Sequence, residues 1–111
     1  MRPFIKNIAH ATPLAIAAEV SYQPGQIVSK TLSQNSEHSL TLFAFDKGEE
    51  ISSHSSDGDA MILALDGKGK ITIDGADYMV NAGETIVMPA KKPHAVFAEE
   101  QFKMLLIVIF S

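Results

Sequence analysis

The segment His54–Gly67, "HSSDGDAMILALDG", decides how this chain is read. It runs from a histidine through the acidic turn Asp57-Gly58-Asp59 into an apolar run that closes on a glycine. Side chains alternate along an extended chain, so Ala60, Ile62 and Ala64 share one face of "AMILALD" while Met61, Leu63 and Leu65 share the other. Both faces are apolar. A strand of that kind must be covered twice, once by a core and once by something outside it. "KMLLIVIF" (Lys103–Phe110) has the same two-sided character. The candidates for the outer cover are the N-terminal segment and a second subunit, and a symmetric homodimer is expected.

Outward from this segment, short apolar runs recur between turn residues. "IVSKTL" (27–32) alternates apolar and polar residues, "QNSEH" supplies a turn, and "SLTLFAF" (39–45) reads as the antiparallel partner. "DKG" ends that strand, and "EISSH" precedes the central segment. "DGKGKITIDGADYMV" holds a strand pair around Asp74-Gly75, a dipeptide suited to a two-residue hairpin. "ETIVMP", "HAVFA" and "FKMLLIVIF" complete the series, with "NAG" and "AKKP" as turns. Only Thr12–Val20, with its alanines, suits a helical turn. This rhythm predicts an all-β sandwich or barrel of eight or more strands. The expected organisation is one domain over 1–111, with 1–20 as an N-terminal arm and 21–111 as the barrel.

Composition narrows the function. The 111 residues carry a formal net charge of -4, with 46% hydrophobic and 20% charged residues, the balance of a globular domain. No cluster of Lys and Arg offers a surface for nucleic acid or an anionic membrane, so neither is expected as a partner. The absence of cysteine excludes disulfides and thiolate metal sites. Arg2 and Lys6 precede an Ala- and Ile-rich stretch, but His10 and Pro13 interrupt it, so the N-terminus reads as mature protein rather than a signal peptide. "MLLIVIF" is too short to span a bilayer as a helix. A cytoplasmic location is expected.

Two spaced motifs carry a family resemblance. Gly48, "EEISS", His54, Ser55, Ser56, "DGD", Ala60, "MILALD" and Gly67 follow the spacing of the first motif of the cupin superfamily. In that motif a glycine is followed by His-x-His, then a glutamate and a second glycine; here Ser56 replaces the second histidine and Ala60 the glutamate. Gly83, "ETIVM", Pro89, Ala90, Lys91, "KP", His94, "AVF" and Ala98 follow the second motif, with Lys91 standing in place of a glycine and Ala98 of an asparagine. The chain therefore resembles a small single-domain cupin, which implies an all-β double-stranded β-helix, or jelly-roll, barrel.

The resemblance implies that His54 and His94 occupy two metal-ligand positions inside the barrel. A complete site offers three histidines and a glutamate, and catalytic metals usually need at least three protein ligands. Ser56 is a poor ligand and Ala60 none, so the expected cofactor is at most a weakly bound divalent metal (Zn, Mn, Ni or Fe). Asp57 is the one nearby carboxylate that turn geometry leaves available as a substitute; Asp59, beside position 60, should face the other way. His38 reads as a solvated turn residue and His10 as part of the arm. Ser56, Ala60, Ile62, Met88 and Val96 are the expected ligand-binding residues, in an apolar cavity suited to a small organic molecule. The alternative is an enzyme of isomerase, cyclase or lyase type, using His54 and His94 as acid/base groups or metal ligands.

Overall fold

The computed structural model describes residues 3–110. A single 3-10 turn, Ile16–Glu19, precedes seven strands: β1 (Ile27–Gln34), β2 (His38–Phe45), β3 (Glu50–His54), β4 (Asp59–Ile73), β5 (Ala76–Asn81), β6 (Thr85–Met88) and β7 (His94–Ile109). All pairings are antiparallel, in the order β1-β2-β7-β4-β5, with β3 also against β7 and β6 against β4. No helix among the described residues is long and apolar enough to cross a membrane.

The count of seven departs from the expected eight or more because two strands are long and serve twice. "AMILALD" and "KITI" are one strand, as are "HAVFA" and "FKMLLIVIF". They pair with each other from Asp59↔Ile109 to Ile73↔His94, with irregularities between Ala64 and Asp66 and between Gly67 and Gly69. On one side of these bulges the ladder is flanked by β2 and β6, on the other by β3 and β5. The result is two sheets that share their central pair, as in a jelly roll. Bulges bend a strand without ending it, and glycine makes this bend possible: Gly67 has a φ of +75°, and a Cβ there would lie 1.6 Å from the Gln101 carbonyl oxygen.

Alternation puts Phe43 and Phe45 of β2, Ala60, Ile62 and Ala64 of β4, and Phe102 and Met104 of β7 into one interior cluster. Across the bulge the parity of β4 shifts, so Ile71 continues the interior face, opposite Val96. Full burial of Phe45 and Phe102, whose rings lie 5.9 Å apart, contributes about 2–3 kcal/mol each. The outer face of β2 is also buried. Leu42 and Ala44 pack with Val20 and Leu32 in a second cluster that includes Ile8, Ile16 and Tyr22 of the N-terminal segment. That segment is the cover for part of the outer face. It is fastened by Lys6 N–H to the Leu32 carbonyl (2.7 Å), Tyr22 OH to Asp66 (2.5 Å) and Lys103 Nζ to the Ala17 carbonyl (2.6 Å).

Two tight turns follow their sequences. Asp74 and Gly75 both have positive φ (+49° and +84°), the requirement of a type I′ hairpin, and join Ile73 directly to Ala76. Asn35 Oδ1 accepts the N–H groups of Glu37 and His38, closing the β1–β2 turn. His38 is not a solvated turn residue: it opens β2, half-buried, with Nε2 3.0 Å from Ser33 Oγ.

Candidate functional site

His54 ends β3 and His94 begins β7, and the two are direct cross-strand partners. Residues opposite one another in an antiparallel pair present side chains to the same face, and here the imidazole centroids lie 4.4 Å apart, edge to face. His94 is buried at 5% exposure, with Ile73 of β4 across its other side and Val96 two residues further along its own face. His54 is exposed. The pair therefore forms a step at the barrel mouth, one ring at the rim and one recessed against apolar floor.

Both rings are held in the same way. Nδ1 of His54 lies 3.0 Å from the Ser52 carbonyl oxygen, and Nδ1 of His94 lies 3.2 Å from that of Lys92. A carbonyl only accepts, so in each ring this contact needs the hydrogen on Nδ1, and in a neutral ring that leaves the Nε2 lone pair free. A hydrogen bond of this kind orients the ring and turns Nε2 outward as the atom that can serve as ligand or acceptor. Burial first, and then the neighbouring His54, push the His94 pKa below its ordinary value, against a smaller upward pull from the Lys92 carbonyl. His94 is thereby biased toward the neutral imidazole.

Three loops are stitched together around this step. Ser56 Oγ accepts the Gly58 N–H (3.1 Å), and its carbonyl accepts the Lys91 N–H (2.7 Å). Asp59 Oδ1 accepts the Ala90 N–H (2.8 Å), consistent with its turning away from position 60. The Asp74 N–H reaches the Pro93 carbonyl (2.8 Å), and Lys92 pairs with Asp74 at 3.8 Å. The hydroxyl of Ser56 thus serves its own turn. Among the described residues no group of three or more His, Cys, Asp or Glu side chains is placed to hold a metal ion, Asp57 included. Two imidazoles are one donor short of the usual catalytic set, so the residues present do not fit a tightly held metal.

Ala60, Ile62, Met88 and Val96 are brought together, at 2%, 0%, 2% and 3% exposure, within the interior cluster. Ser56 lies apart from them, in the turn above. Sequence reading did not single out Ile51 and Ile73, which stand opposite Val96 and His94, nor the two backbone carbonyls that set the tautomers. The register of β4 across its bulge places Ile73, and no local pattern in "KITI" reveals it. The two-residue offset from each histidine to its carbonyl was a visible signal only once both were known to end strands.

The profile of the family described as "Cupin domain" matches residues 41–110. A conserved protein of unknown function from Streptococcus pyogenes superposes with a TM-score of 0.97 at 47% identity, covering 99% of this chain and 96% of its own. A cupin superfamily protein from Desulfitobacterium hafniense gives 0.92 at 31% identity, covering 96% and 98%. A cupin 2 conserved barrel domain protein from Leptotrichia buccalis gives 0.83 at 48% identity, over 84% of this chain and 45% of its own. No curated protein matches the sequence.

Proposed function

The chain belongs to the cupin family, and from that premise we propose that it binds a small organic molecule at the mouth of its barrel, against the paired imidazoles. The observation that carries this reading is the pair itself: two rings 4.4 Å apart whose Nδ1 atoms are occupied and whose Nε2 atoms are left to accept from a ligand. A ligand donor group would bond to Nε2 while its apolar body lies toward Val96, Ile51 and Ile73. Ala60, Ile62 and Met88 support that floor from within, and Ser56 fixes the loop above it. Any divalent metal held here would be bound weakly, with water or ligand completing its shell.

The test is a screen of small organic fragments, read by the ring Cε1–H resonances of His54 and His94. Binders are expected to shift both rings, and the effect should vanish in His94→Leu. Fragments that bind while leaving both rings unmoved would overturn the reading. A second reading, an enzyme working by proton transfer, is favoured by one fact: His94 is recessed, and its burial biases it toward the neutral imidazole that can accept a proton from a bound substrate. We also propose a homodimer. The outer row Leu40, Ile107, Met61 and Val87 runs across β2, β7, β4 and β6, and the N-terminal segment packs on its Leu40 end only. Val87 remains 52% exposed.

A further inference from the structure

Among the described residues only two polar side chains are buried, His94 at 5% exposure and Ser33 at 9%. His94 belongs to the imidazole pair. Ser33 lies elsewhere, on the outer face of the β1–β2 ladder, and a bulge puts it there. Thr31 stands opposite Thr41 and Ser33 opposite Leu40, so Leu32 is the extra residue and the parity of β1 shifts by one beyond it. Ser33 therefore shares the face of its partner Leu40, which packs in the outer cluster, and of His38, two residues before Leu40 on β2. The N-terminal arm holds this bulge from outside: Asn7 Nδ2 donates to the Thr31 carbonyl (2.7 Å) and the Lys6 N–H to the Leu32 carbonyl (2.7 Å).

Two observations at Ser33 point to chemistry as well as packing. Its Oγ lies 3.0 Å from His38 Nε2, the distance of a nucleophile from its base. With the ring hydrogen of His38 on Nδ1, Nε2 accepts from the Ser33 hydroxyl. Ser33 also lines a cleft of about 370 Å³ between the arm and the end of β1, shared with Pro3, Phe4, Lys6 and Gln34. The serine is thus recessed without being sealed: it meets an imidazole and borders space for a small molecule. We propose that Ser33 is a nucleophile activated by His38, and that it takes short acyl groups from activated aryl esters entering this cleft. In that step Ser33 Oγ bonds to the acyl carbonyl carbon and its proton passes to His38 Nε2. The bond from that carbon to the aryl oxygen breaks, its electron pair leaves with the aryl oxide, and His38 returns the proton to solvent. A base alone contributes about a hundred- to ten-thousand-fold, which suits esters with so stable a leaving group and does not suit amides.

The probe is p-nitrophenyl acetate, with peptide mass spectrometry reading which side chain is acetylated and absorbance reading the p-nitrophenolate released. Ser36, exposed in the turn between the two strands, is the internal reference. Ser33 is expected to be acetylated at least about a hundredfold faster than Ser36, with a matching burst of p-nitrophenolate. His38→Gln keeps a side chain able to hydrogen-bond the Ser33 hydroxyl but removes the base. It should bring Ser33 down to the rate of Ser36 while the β spectrum stays unchanged. Ser33→Ala should abolish the burst. Acetylation of Ser36 as fast as Ser33 in the unaltered protein would overturn the proposal without recourse to any variant. So would His38→Gln reacting at the parent's rate, which would leave the Ser33–His38 contact a purely structural one.

Discussion

At the scale of single residues, the site is defined by what stands at four positions. His54 and His94 face each other, Ser56 is spent on its own turn, and Ala60 is a buried methyl. Replacing Ser56 by His and Ala60 by Glu together adds donors to a barrel already formed, so little ordering entropy opposes them. Isothermal titration should show the double variant binding Zn at least about a hundredfold more tightly than the parent. Tight binding by the parent with no gain in the variant would mean that another group completes the set. His94 also ties stability to pH. Its folded pKa lies below the ordinary value of 6.5, so the unfolded chain binds a proton that the folded chain resists. The resulting stability is complete above about pH 6.5 and is lost as the pH falls through the folded pKa. Thermal midpoints measured from pH 7.5 downward should fall more steeply for the parent than for His94→Leu; parallel curves would contradict the assignment.

At the scale of elements, the bend shared by β4 and β7 is the feature on which the barrel turns. Gly67→Ala would press a Cβ onto the Gln101 carbonyl and hold alanine at a φ of +75°. At Gly69 a Cβ would come within 2.7 Å of the Phe102 ring. Gly67→Ala is expected to cost about 3 kcal/mol or more in denaturant unfolding, and a loss under about 1 kcal/mol would show that the bend adapts. Strand locations were legible in the sequence because alternation and turn dipeptides are local: "IVSKTL", "SLTLFAF" and the Asp74-Gly75 hairpin fall where they were expected. The fusion of "AMILALD" with "KITI" was not, since a glycine pair reads alike as a turn and as a bulge, and only the partner strand decides. The histidine pair was legible through motif spacing. The depth of His94 and the exposure of His54 depend on cross-strand register, which spacing does not encode. His38 was misplaced because its partner Ser33 lies on the neighbouring strand.

At the scale of the whole molecule, two apolar surfaces outside the barrel are treated differently. The N-terminal segment covers Leu42 and Ala44, while Val87, at the end of the row through Met61, stays 52% exposed, and that row is the face of the proposed homodimer. Sedimentation at micromolar concentration is expected to show a dimer, and Met61→Lys with Val87→Lys should shift it toward monomer without loss of the β spectrum. A monomeric parent would count against the homodimer. The long ladder between β4 and β7 also bears on how the chain reaches this state. Its pairs are nested around the segment between Asp74 and Pro93, so Ile73↔His94 closes the shortest loop and Asp59↔Ile109 the longest. Closing the inner pair first makes each later pair a short extension rather than a fresh search, which favours zipping from the inside outward. Amides of Ile71 and Val96 should then gain protection from exchange before those of Met61 and Ile107. The ring that a ligand meets last, at the recessed end of the mouth, would belong to the part of the chain that folds first.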